Sequence, residues 1–188
     1  HTSKSYRGAI VLDPTPGVFE NVLQLDFESL SIHSLAATVD PVDYTTILYV
    51  GVGEFVYFAG GNNDQLPDGV YKLKVSTDGQ VLSQEKIGLS NLVPYKIAID
   101  TNSPNTIYVA GLDGSDHMVG PKYVRIYGPL YKSEDGGGSW AQIGVLGDVD
   151  KKTGMLGVID IVVSNSVLYV ANKHELTGVT DLYYSLNK

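Results

Sequence analysis

A repeat limits what this chain can become. The phrases ILYVG, TIYVAG and VLYVA bring Tyr49, Tyr108 and Tyr169 into register at intervals of about 60 residues. A second set, GVYKLKVSTDG, GPLYKSEDGGG and DLYYSLNK, aligns Tyr71, Tyr131 and Tyr183 at about 60 and then about 50 residues. Before each first anchor lies an apolar run closed by an Asp-led or Asn-led turn: LAATVDPVDYTT, IAIDTNSPNT and IVVSNS. Two independent anchors at nearly one period mean that one supersecondary unit is built three times, and the fold must divide accordingly.

The unit is made of strands. Short runs rich in Val, Ile, Leu and Tyr, broken by Gly, Pro, Asn and Asp, predict strands at 35–39, 47–52, 70–75, 95–99, 106–111, 158–163 and 167–171. No stretch of helical length carries a 3.6-residue apolar period, so the class is all-β. Each unit reads as strand, turn, strand, long loop, strand, tight turn, strand. A lone four-stranded sheet cannot cover both of its faces, and stacking such sheets around an axis solves the problem, as in a β-propeller. The expected architecture is therefore about three four-stranded antiparallel blades, with a β-sandwich as the alternative. The divisions fall at 1–30 (an N-terminal segment), 31–92, 93–152 and 153–188, the third unit lacking its fourth strand. YRGAIVL at 6–12 offers a spare closing strand. Three blades are too few to close a ring. The ring in this chain is thus expected to be incomplete, completed by the remainder of a longer propeller or by a homodimer exchanging N-terminal strands.

Composition removes several classes of partner. Thirteen Lys and Arg stand against 21 Asp and Glu, a net charge of -8 that repels phosphate backbones, so no nucleic acid is expected. No apolar run reaches the roughly 18 residues of a spanning helix, so no membrane insertion is expected either. With no cysteine, neither a disulfide framework nor a zinc-thiolate site can form.

The stretch SEDGGGSW holds the chain's single tryptophan directly after three glycines. Ser133, Asp135, Gly137 and Trp140 fit the pattern Ser-x-Asp-x-Gly-x-Thr-Trp, with Ser139 in the threonine position. Short polar side chains bond turn backbone, glycines accept positive φ, and an indole opening the next strand packs under the turn. A degraded copy occurs at Ser76, Asp78 and Gly79, and a third begins with Ser185 and Asn187. This wording resembles the Asp-box, or BNR repeat, of sialidase-like, xyloglucanase-like and sortilin-like propellers. The resemblance covers about residues 31–188. It implies that the motif lies on the hairpin between third and fourth strands, at the periphery and away from the ligand face, marking a fold and not a catalytic centre.

The resemblance also implies that function sits on the long loops between second and third strands. The first carries Glu54, Asn63, Asp64 and Asp68; the second Asp113, Asp116, His117, Tyr123 and Arg125; the third His174 and Glu175. Carboxylates with Tyr and Asn are groups that grip sugar hydroxyls, and loops longer than strand geometry requires are binding elements. A sialidase needs three arginines for its substrate carboxylate, and this chain has only Arg7 and Arg125. Xyloglucanase-like hydrolases use paired aspartates as acid and base, and YVAGLDG offers only Asp113 for that role. GGNNDQLPDG is rich in the oxygen ligands calcium takes, yet lacks the alternating spacing of an EF-hand loop, so no cofactor or metal is expected. The expected function is a secreted or cell-surface module that binds a carbohydrate or protein partner. The alternatives are a non-autonomous part of a glycoside hydrolase and a purely structural subunit of a surface assembly.

Overall fold

The computed structural model describes residues 31–55, 65–119, 122–144, 156–174 and 180–185. These residues form eleven strands and, among them, no helix, so no helix long and apolar enough to cross a membrane is present in the described residues. The first sheet takes β1 (Ser31–Val39), β2 (Thr46–Phe55), β3 (Gln65–Val75) and β4 (Val81–Gly88) in chain order. The second takes β5 (Leu92–Ile99), β6 (Ile107–Val119), β7 (Lys122–Ser133) and β8 (Ala141–Gly144). The third holds β9 (Leu156–Ser164), β10 (Val167–His174) and β11 (Thr180–Ser185), with β10 in the middle. All pairings are antiparallel, each strand beside its neighbour in sequence. The strands expected at 35–39, 47–52, 70–75, 95–99, 106–111, 158–163 and 167–171 are all present.

The turns ahead of the anchors form as their Asp residues dictate. Asp40 accepts a hydrogen bond from the Val42 N–H at 2.9 Å, and Asp100 one from Asn102 at 2.9 Å, each side chain completing its own turn. Lys74 on β3 reaches back to Asp40 at 3.2 Å and Asp43 at 2.6 Å, tying the β1–β2 turn to the third strand.

The sheets stack in chain order. β5 packs on β1, β2 and β3, and β9 packs on β5, β6 and β7. Alternation along β6 explains how. Ile107 and Val109 face the first sheet in a cluster with Tyr49, Val70 and Leu92. Tyr108 and Ala110, one position out of phase, face the third sheet with Leu130, Leu168 and Val170. Because a strand sends successive side chains to opposite faces, a continuous apolar run such as IYVA belongs to a sheet covered on both sides. Gly51 makes the close approach possible. A Cβ there would lie 2.5 Å from the Pro94 carbonyl oxygen of β5, so only glycine lets the sheets meet at that point.

One face recurs through the stack. Residues paired or equivalent in register place Val70 beside Tyr49 on the first sheet, Leu130 beside Tyr108 on the second, and Leu182 beside Tyr169 on the third. The next sheet buries the first two faces, where Val70 is 0% and Leu130 3% exposed, whereas Leu182 is 70% exposed. On the far side of the first sheet, Val50, Val52 and Leu73 are buried in a separate cluster.

Candidate functional site

The turn between β7 and β8 is densely hydrogen-bonded. Asp135 accepts hydrogen bonds from the Ser139 hydroxyl at 2.7 Å, the Ser139 N–H at 2.9 Å and the Ser133 hydroxyl at 2.8 Å. These three donors, led by Ser139, hold its carboxyl down at about 2, since each favours the charged form. Ser133 is buried, and its oxygen accepts the Gly137 N–H at 2.8 Å. Gly137 has φ +98 and presses against Ile87, so the position excludes any side chain on both counts. The shortened copy on the first sheet follows the same logic. Ser76 donates to Asp78 and accepts the Gln80 N–H at 2.9 Å, with Gly79 at φ +84. There Asp78 is lowered chiefly by the Ser76 hydroxyl.

Trp140 does more than seal its own turn. Its indole N–H donates to the Ile87 carbonyl at 2.8 Å, 53 positions away on β4, and its ring lies over Gly88. The same turn donates the Gly136 N–H to the Asn105 carbonyl at 2.9 Å and receives Lys72 on the Gly136 carbonyl at 3.3 Å. Lys72 also stands over the Tyr49 ring, 5.9 Å from its centroid. Burial, with Glu85 adding a like-signed field, pushes the Tyr49 phenol up to about 12. The turn is thus a clasp between the first two sheets. Ile87 and Lys72, which the sequence analysis did not single out, form its other half, although KIG at 86–88 and QIG at 142–144 recur at equivalent places in the fourth strands.

A second space opens one repeat further on. Between the second and third sheets lies a cavity of about 330 Å³, lined by Tyr108, Lys132 and Ile143 on one side and by Ser166, Tyr183 and Ser185 among others on the opposite side. Lys132 sits over the Tyr108 ring at 6.0 Å, as Lys72 does over Tyr49, but its ammonium is paired with Glu134 at 2.5 Å. That pairing is the main cause of the raised Lys132 value, and burial raises the Tyr108 phenol.

The residues expected on long loops are mostly on strands, which corrects that expectation. β6 runs on to Val119 and β7 starts at Lys122, so the polar segment of the second unit is an extended hairpin. Its length of alternating Val, Tyr and Ile around the polar groups lets the ladder continue where Gly and Asp suggest a loop. Asp116 lies opposite Arg125, and Tyr123 opposite Met118, which puts Asp116, Arg125 and Tyr123 on one face of the hairpin. His117, opposite Val124, is on the other face, so Asp116 and His117 do not share one. Asp113 pairs with Leu92, Glu54 with Leu66, and His174 with Leu156 at the end of β10. Asp68 is committed locally: it accepts the Tyr71 hydroxyl at 2.8 Å and pairs with Lys86. Asn63, Asp64, Glu175 and the first half of GGNNDQLPDG lie outside the described residues, as does the strand expected at 6–12. Among the described residues, no group of three or more His, Cys, Asp and Glu gathers as a metal site would require.

No protein-family model matches this chain, and no curated protein matches it with significance.

Proposed function

We propose that this chain contributes three consecutive blades to a β-propeller of the Asp-box type and acts as a binding and assembly module. It takes a carbohydrate at the hairpin end of its sheets and joins other polypeptide through the third sheet. The observation that carries the reading is the repeated face: Val70, Leu130 and Leu182 occupy equivalent positions, the first two covered by the next sheet and the third exposed. A ring is the arrangement in which every such face meets a neighbour. Growth beyond the third sheet is the supported direction. The far face of the first sheet is already buried at Val50, Val52 and Leu73, which speaks against a second copy seated there.

The carbohydrate part rests on placement. Gly51 approaches Pro94, and Pro94 pairs with Gly111, so the stretches of β2 beyond Gly51 and of β6 beyond Gly111 extend toward the same side. That side carries Glu54, Asp113 and the shared face of Asp116, Tyr123 and Arg125. An aromatic residue and charged hydrogen-bonding residues at neighbouring register positions of one hairpin are a combination suited to sugar binding. Isothermal titration against a panel of soluble polysaccharides tests it. Saturable binding, weakened at least tenfold by Tyr123→Ala and by Arg125→Ala and without release of reducing ends, is the expected result. Absence of binding, or binding indifferent to both substitutions, overturns the reading.

A further inference from the structure

The chain holds four Asp–Gly bonds, at Asp68–Gly69, Asp78–Gly79, Asp113–Gly114 and Asp135–Gly136. Such a bond carries its own chemistry. With no Cβ beside it, a glycine amide nitrogen can close on the preceding aspartyl carboxyl to form a five-membered ring, wherever the backbone is free to turn. The fold decides which of the four bonds has that freedom.

Three of them are held. Gly136 is buried, its N–H donates to the Asn105 carbonyl at 2.9 Å, and its own carbonyl receives Lys72 at 3.3 Å. Asp135 is fixed by two hydroxyls and a backbone N–H. Gly69 is buried where a Cβ would strike the Gly88 carbonyl oxygen, and Asp68 is bonded to Tyr71 and Lys86. Asp113 stands opposite Leu92 within β6. Asp78–Gly79, in the β3–β4 turn, differs from all three. Asp78 is exposed, and a Cβ on Gly79 would meet no atom within 4 Å. The bonds of this turn come from inside it: the Gly79 N–H donates to the Ser76 carbonyl at 3.0 Å, and the Ser76 hydroxyl donates to Asp78. Val81 and Leu82 follow where Trp140 staples the longer turn, and they are 41% and 56% exposed. A turn at the surface opens locally at little cost, whereas freeing Gly136 means parting two sheets.

We propose that Asp78 is a site of spontaneous isomerisation, the first of the four Asp–Gly bonds to become a β-linked aspartyl residue. The Gly79 nitrogen attacks the Asp78 Cγ and loses its proton, the carboxyl hydroxyl leaves as water, and a cyclic imide forms. Water then opens the ring. Attack at Cγ restores the original bond, and attack at the Asp78 backbone carbonyl carbon leaves the chain joined through the side chain. One water departs and one enters, so no oxidant or other reactant is required. The product has one more carbon in its backbone and carries its carboxylate away from the Ser76 hydroxyl. Ser76 is the restraint on the reaction, because its hydroxyl favours the ionised carboxylate, which is the unreactive form. The inference rests on the geometry of this turn and holds whether or not the hairpin end binds a sugar.

Incubation of the folded chain for several weeks in mildly acidic buffer, followed by tryptic mapping, tests the proposal. Cleavage after Lys74 and Lys86 releases residues 75–86, which contain Asp78 as their only aspartate. A second chromatographic form of this peptide, equal in mass and methylated by an isoaspartyl carboxyl methyltransferase, is expected to accumulate at least tenfold faster than isomers at Asp68, Asp113 or Asp135. Asp78→Glu should abolish the second form, since the longer side chain closes a six-membered ring far more slowly. Ser76→Ala should speed its appearance. In urea, where the fold no longer protects Gly136, the rate at Asp135 should rise toward that at Asp78. Three results would overturn the proposal: another Asp–Gly bond converting as fast in the folded chain, a rate at Asp78 indifferent to Ser76→Ala, or a rate at Asp135 that stays low in urea.

Discussion

Asp135 shows how much one side chain can organise. Its carboxylate takes three donors from residues two and four positions away, and only the ionised form accepts them all. The bound value of about 2 lies below the ordinary value near 4 of an unfolded chain. A carboxyl lowered on folding contributes stability that is full above about pH 4 and is lost as pH falls toward 2. The stability gap between the native chain and Asp135→Asn should therefore be widest near neutrality and shrink through that window. Urea midpoints measured from pH 6 to pH 2 check this, and a gap constant with pH would show that the charge is irrelevant. Ser133, Asp135, Gly137 and Trp140 were legible in the sequence because a turn is a local structure, its donors and acceptors lying within a few residues of one another. Ile87 was not, since its link to Trp140 spans 53 positions and appears only once two sheets are in contact.

At the scale of elements, the same tryptophan couples β8 to β4. Replacing Trp140 with Phe keeps most of the apolar contact and removes one hydrogen bond to a backbone carbonyl, at a cost of about 1 kcal/mol. Replacing it with Ala also leaves a void beside Ile87 and Gly88 and should cost about 2–4 kcal/mol, somewhat less than for a fully enclosed ring. Chemical denaturation of the two variants separates these terms; equal losses would mean that the indole N–H carries the whole effect. The extended hairpins are a lesson at this scale. Asp113, Gly114 and Asp116 read as loop residues because they disfavour strands on their own, yet β6 continues through them to Val119. Strand preference depends on the neighbouring strand more than on the residue, and a partner such as KYVRIY on β7 supplies what the polar segment lacks.

For the whole molecule, the order of the sheets decides which apolar surface is core. Leu130 and Leu182 are the same residue at the same register position of consecutive sheets. Leu130→Ala should cost about 2–4 kcal/mol, because a neighbour covers the position and a cavity remains. Leu182→Ala should change stability by less than about 0.5 kcal/mol, as expected of a surface site. Thermal denaturation of the isolated chain tests the pair. If Leu182→Ala proves as costly as Leu130→Ala, something in solution already covers the third sheet.

The all-β class, the three units and the turns at Asp40, Asp100 and Ser133 were determined by the sequence alone, since alternation, punctuation and local hydrogen bonding operate over a few residues. Which of two equally apolar faces becomes core was decided only by the tertiary structure. The run IYVA on β6 and LYVA on β10 carry almost the same side chains, yet the first is buried on both faces while Tyr169 and Leu182 on the third sheet meet solvent. A strand's own period places residues on two faces, and only a packed neighbour removes water from either.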